Sequence, residues 1–182
     1  MTEEAGVTVP GDAGLLMTDS RKVATYGGLA AGIVVLDQLA KYAAQRFLPL
    51  YEPVPVLGDF FRLTYIYNTG AAFGLHLGAA SRYIFLALTV VCLGVLFGWF
   101  RRTPATDRLR LLAIALVSAG ALGNFIDRLR STRGVVDFLD FGFPTARWPV
   151  FNVADIGVTV GAILLAISLW REDREASRAD EQ

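Results

Sequence analysis

The chain has 182 residues, 54% hydrophobic and 19% charged. Its apolar residues lie in long blocks, the pattern of a membrane protein and not of a water-soluble domain. Its 17 basic and 17 acidic residues cancel, so no bulk charge points to a nucleic-acid partner. One histidine, His76, and one cysteine, Cys92, are too few for a zinc site, and neither a metal nor an organic cofactor is expected.

Residues 1–20, MTEEAGVTVPGDAGLLMTDS, are acidic and contain glycine where a cleaved signal would be basic; this segment is expected to be a disordered cytoplasmic tail. Four apolar blocks follow, at about 23–43, 83–100, 111–126 and 150–170, and qualify as membrane-spanning helices. Each has basic residues on one side: Arg21 and Lys22, Arg101 and Arg102, Arg108 and Arg110, Arg171 and Arg174. Three carry an aspartate at the other side: Asp37, Asp127 and Asp155. The rises from Lys22 to Asp37, Arg110 to Asp127 and Asp155 to Arg171 come to roughly 22, 26 and 24 Å at about 1.5 Å per residue. All three acids therefore reach one level, roughly 4 to 8 Å beneath the far surface of a hydrocarbon core about 30 Å thick.

The loop 101–110 is short and holds four arginines against Asp107, which assigns its side to the cytoplasm. Both termini, including the charged tail 171–182, then lie on that side, and the acids face outward. The outer region of about 46–80 contains VPVLGDFFRLTYIYNTG, whose aromatic and β-branched run predicts a hairpin or small sheet at the membrane interface, with Phe60, Phe61, Tyr65 and Tyr67 as an aromatic platform above the acids. The second outer segment, VVDFLDFGFPTARWPVF, is a similarly aromatic loop. Small-residue spacings at Gly28/Gly32, Gly94/Gly98 and Gly157/Gly161 predict close helix packing within the bundle. The expected fold is mainly α: one membrane domain, residues 21–170, built as a four-transmembrane-helix bundle beneath a small extracytoplasmic β-sheet platform.

Ionisable groups at membrane depth are costly, usually face the bundle interior and mark function. Asp37 and Lys41, four apart on one helix, either pair with each other or serve a site. Asp127 precedes Arg128, which leaves a structural ion pair open. Asp155 has no basic neighbour in sequence. The same buried acids would also suit a small ion or proton-coupled transporter, although their confinement to one outer layer leaves no relay to the other side. A serine protease would have to use His76 with Ser81, or Lys41 with a distant serine, and neither arrangement has support in the spacing.

Three polar strings gather at the outer ends: NTGAAFG from Asn68, GNFIDR from Gly123 and FNVAD from Phe151, preceded by DQLAK from Asp37. In this order, with four spans around them, the sequence resembles the bacterial lipoprotein signal peptidases, the type II signal peptidases, over nearly all of 21–170. The resemblance implies an aspartic endopeptidase of the bacterial cytoplasmic (inner) membrane, with Asp127 and Asp155 as its catalytic pair. It implies that Asn68, Gly70, Asn124, Arg128, Asn152, Ala154, Asp37 and Lys41 bind substrate or support the pair. The implied partners are membrane lipids and diacylglyceryl-modified prolipoproteins, cut just before the lipidated cysteine, with a monomer as the expected working unit. The chemistry fits this inventory independently. Two close carboxylates cannot both ionise, so one activates water while the other stays protonated to polarise the carbonyl.

Overall fold

The computed structural model describes residues 19–70 and 80–180. His76 and most of the expected N-terminal tail lie outside the described residues. Helix α1 (Asp19–Lys22) passes through a π-helical turn (Val23–Gly27) into α2 (Gly28–Phe47), and the three pieces form one span, Asp19–Phe47. The others are α3 (Ser81–Arg102), α4 (Arg108–Arg130) and α5 (Val153–Asp180). Among the described residues, four helices are thus long and apolar enough to cross a membrane. Helix α5 carries on through the charged segment after Trp170 instead of ending there.

Local chemistry sets the helix ends. Thr103 is extended because Pro104 follows it, and the Asp107 side chain caps α4 by accepting the Arg110 N–H at 3.0 Å. Helix α4 is the centre of the bundle, packed against α2, α3 and, most extensively, α5.

Glycine makes the close approaches of α5 and α2 to α4 possible. A methyl group on Gly161 would lie 2.7 Å from Val117 Cγ2 and 2.9 Å from the Ala113 carbonyl oxygen, and one on Gly123 would lie 2.6 Å from Asp37 Oδ2. The other two expected spacings do not pack this way: a methyl group on Gly28, Gly32, Gly94 or Gly98 would meet nothing within 4 Å. These glycines sit on outward faces, since small-residue spacing permits close approach without supplying a neighbour. Gly161→Leu should therefore destabilise the protein by about 3 kcal/mol or more through overpacking. Gly98→Leu should stay within about 0.5 kcal/mol of wild type. Thermal unfolding in detergent measures both, and equal melting temperatures would contradict this packing.

Above one end of the bundle lies a single antiparallel sheet in the order β1-β2-β3-β4. Its strands are β1 (Pro53–Leu57), β2 (Phe61–Asn68), β3 (Val135–Phe143) and β4 (Ala146–Arg147). The expected hairpin is β1–β2, turning at Gly58, whose φ is +52°. The second outer segment, expected as a loop, instead supplies β3 and β4. Asn68 stands opposite Val135, Ile66 opposite Asp137 and Arg62 opposite Asp140, with an irregularity between Leu63 and Ile66. Phe61 stacks on Phe141 at 4.4 Å, and Phe141 on Phe151 at 5.8 Å.

Asp140 locks the sheet by accepting from Arg62 at 2.8 Å, Arg147 at 2.7 Å and Thr64 at 2.7 Å. Burial alone would raise its pKa, but the hydrogen bonds from Thr64, Arg147 and Arg62 outweigh burial and hold the carboxyl below the usual carboxylate range. At Gly134, φ is +108° and a side chain would run into the Asn68 carbonyl. That glycine lets the end of β2 close over the turn between α4 and β3.

Candidate active site

The C-terminal parts of α2 and α4 and the N-terminal end of α5 meet at Lys41, which is 3% exposed. Its ammonium lies 2.8 Å from Asp37 Oδ2 and 2.9 Å from Asp127 Oδ2, and it donates to Asn124 Oδ1 at 2.9 Å. Asp127 accepts further from the Val136 N–H at 3.1 Å and from Gln38 Nε2 at 3.1 Å. Its cation is therefore Lys41 rather than Arg128. The guanidinium of Arg128 instead donates to the carbonyls of Gly70 at 3.1 Å and Asn124 at 3.4 Å.

The start of α5 is fastened from two sides. Asn152 Oδ1 accepts the Asp155 N–H at 2.9 Å, while Asp155 Oδ2 accepts the Asn152 N–H at 3.1 Å. This reciprocal arrangement is a capping box with aspartate as its acid. Asp37 Oδ1 accepts the Ala154 N–H at 2.9 Å, placing a carboxylate at the positive end of the helix. The Asp37–Lys41 pair thus does both things its spacing left open: it neutralises itself and anchors the site. Ala154 is fully buried, leaving no room for a larger residue beside Gly123.

A fourth acid completes the cluster. Asp137, on β3, is 1% exposed and accepts from Asn152 Nδ2 at 2.6 Å and Asn68 Nδ2 at 3.0 Å. Burial first, then the neighbouring charge of Asp155, pushes its carboxyl up to about 7. The sequence does not single it out, because VVDFLDFGF holds two aspartates in a segment expected as a loop. Gln38, inside DQLAK, is a second site residue that the sequence leaves unmarked; it donates to Asp37, Asp127 and the Gly123 carbonyl and accepts from Arg130 at 3.1 Å.

All the residues singled out in the sequence for the site belong to one connected network. Asn124 donates to Asp155 Oδ1 at 2.8 Å and accepts from Asn152 at 3.1 Å, and Asn68 Oδ1 accepts the Gly70 N–H at 3.0 Å. The rest of the NTGAAFG string, residues 71–74, lies outside the described residues. The four acids separate into two kinds of company. Asp37 and Asp127 share the Lys41 cation, whereas Asp137 and Asp155 share Asn152 and, among the described residues, have no cation within 4 Å. No group of three or more acidic, histidine or cysteine side chains suited to a metal occurs among the described residues.

The raised Asp137 pKa has a consequence for stability. An acid whose folded pKa exceeds its unfolded value near 3.8 contributes stability that is complete below pH 4 and lost as pH rises through about 7. Asp137→Asn should therefore gain in melting temperature relative to wild type between pH 5 and pH 8. Parallel pH curves for the two proteins would mean that Asp137 ionises normally.

Residues 29–171 match the family model described as signal peptidase (SPase) II. The lipoprotein signal peptidase of Geobacter sulfurreducens is 41% identical over 150 residues, covering 82% of this chain and 93% of that protein. That of Moorella thermoacetica is 43% identical over 150 residues, covering 82% and 95%. A solved bacterial membrane enzyme aligns with a TM-score of 0.75 at 33% identity, covering 83% of this chain and 90% of the other. A second aligns at 0.71 with 35% identity, covering 81% and 93%. The transporter alternative gains no support from these matches.

Proposed function

Because the chain belongs to the signal peptidase II family, we propose that it removes signal peptides from lipoprotein precursors in the membrane, using Asp137 and Asp155 as its aspartic pair. The reading puts Asp137 in the place that the sequence resemblance gave to Asp127. The observation that carries it is the contrast in company. A catalytic carboxyl must exchange a proton with water or substrate, and Asp127 is already held by an ammonium, an amide N–H and Gln38. Asp137 and Asp155 are bonded to each other's neighbours through neutral amides, which orient them without fixing their charge.

The division of labour follows from the surroundings. Asp155 accepts from Asn124 on one oxygen and from the Asn152 N–H on the other, which holds the carboxyl at the start of α5; it is assigned as the base that takes a proton from the attacking water. Asp137, raised toward neutrality, gives its proton to the scissile carbonyl oxygen as the water oxygen bonds to carbon. On collapse, the C–N bond breaks, the proton held by Asp155 goes to the leaving nitrogen, and Asp137 recovers its own from the hydroxyl. Lys41, Asp37, Asp127 and Gln38 position the helix ends that hold this pair.

We place the acids on the extracytoplasmic side and both termini in the cytoplasm, on the strength of the arginines in 101–110. The substrate is a precursor carrying a diacylglyceryl group on the cysteine that follows the cleaved bond. The test is incubation of the purified protein with such a precursor in a bilayer, with and without a chelator. The expected product is the mature lipoprotein in both arms. No product, or product only when a divalent ion is restored, would overturn the aspartic mechanism.

A further inference from the structure

The backbone of α3 lies close to that of α4 and to no other described element. Beside α4, it therefore leaves a cleft toward α2, lined by Tyr26 and Ala30, Leu93 and Phe97, and Ile114 and Ser118, with a volume of about 340 Å³. Lys22 closes one end, donating to the carbonyls of Phe100 at 3.1 Å and Thr103 at 3.0 Å. Phe100 lines that same end, and the next two residues, Arg101 and Arg102, are exposed.

We propose that this cleft seats one acyl chain of an anionic phospholipid whose headgroup lies against Arg101 and Arg102. Chemistry selects an amphiphile: the lining is apolar, and two exposed guanidinium groups follow Phe100 at one end. Depth selects the leaflet. Ser118 is about 14 Å below Asp127 along α4. A chain hung from the acid side, reaching half of a core about 30 Å thick, would touch only the upper edge of the cleft. A lipid of the arginine-side leaflet fills it, and two exposed guanidinium groups there favour an anionic head. The lipid of the precursor, anchored beside the acids, is a different molecule in a different leaflet.

The substitution that tests the proposal is Gly27→Leu. Gly27 lines the cleft, and a Cβ there has nothing within 4 Å, so a leucine side chain starts into open space at the cleft wall. Gly94→Leu, also on open ground but away from the lining, is the control. The full chain, delipidated in detergent, is offered phosphatidylglycerol and phosphatidylcholine with identical acyl chains, and bound lipid is counted by mass spectrometry of the intact complex. Wild type and Gly94→Leu should retain phosphatidylglycerol; Gly27→Leu should retain about tenfold less, a loss of about 1.4 kcal/mol. Replacing Arg101 and Arg102 with Gln should abolish the preference over phosphatidylcholine. Normal precursor cleavage by Gly27→Leu shows that it is folded. Equal retention by wild type and Gly27→Leu, equal binding of the two lipids, or displacement by a diacylglyceryl peptide would each overturn the assignment.

Discussion

On the proposed assignment, Asp137→Asn should lower precursor cleavage by about 10³-fold or more, and Asp155→Asn likewise, because a two-carboxylate mechanism fails when either member cannot carry a proton. Asn is nearly isosteric; its amide oxygen can keep the bond from Asn152, and only Asn68 has to turn over to accept from the new NH₂, giving up the Gly70 N–H. The protein therefore stays folded in detergent, and the double variant is little worse than either single one. Asp127→Asn should lose roughly 10- to 100-fold, the cost of a misplaced rather than a missing group. Lys41 keeps Asp37 as its partner at 2.8 Å, so the site loosens without losing its cation. The measurement is initial cleavage rate for all four variants beside melting temperature. A collapse in Asp127→Asn with Asp137→Asn near wild type would return the pair to Asp127 and Asp155.

Removing the diacylglyceryl group from the precursor should cost about 100-fold or more in kcat/KM, with kcat falling as well as KM rising. On the proposed topology the acids stand roughly 4 to 8 Å below the outer boundary of the hydrocarbon core, and the scissile peptide would have to be held beneath the surface. Two acyl chains, at about 0.8 kcal/mol per buried CH₂, supply that hold. The aromatic platform of Phe60, Phe61, Tyr65 and Tyr67 contributes unevenly. Tyr65 is buried, and its hydroxyl pKa is pushed up by burial and by Tyr67; Phe60 remains 47% exposed and can touch a bound chain. Comparable cleavage of a lipidated precursor and the same chain with a free cysteine, both inserted by their signal helices, would leave a peptidase indifferent to lipid.

The spans and their acids were legible because the signals are local. An apolar run of membrane length announces itself, and counting along a helix gives the level of Asp37, Asp127 and Asp155. The partners were not legible. Adjacent residues on a helix point in different directions, so Arg128 cannot serve Asp127, and the cation comes from Lys41 on another helix. Asp137 was hidden for a related reason. Most of β3 is buried, so the strand shows no clean alternation, and nothing in VVDFLDFGF distinguishes the acid that meets Asn152 from the one that clamps Arg62 and Arg147.

The pairing of β2 with β3 also has a bearing on how the protein is made. Phe61–Asn68 and Val135–Phe143 are partners separated in the chain by α3 and α4, so on the proposed topology the first half of the sheet waits outside during synthesis while two more helices cross the bilayer. Until then β2 has β1 on one edge and bare peptide groups on the other, an edge open to unwanted pairing. Asp137 and Asp155 emerge later still, on the last strand-bearing segment and the last helix. A nascent chain arrested after α3 would hold neither acid: β3 closes the open edge of β2, and on the proposed assignment hydrolytic competence would arrive only once α5 is in place.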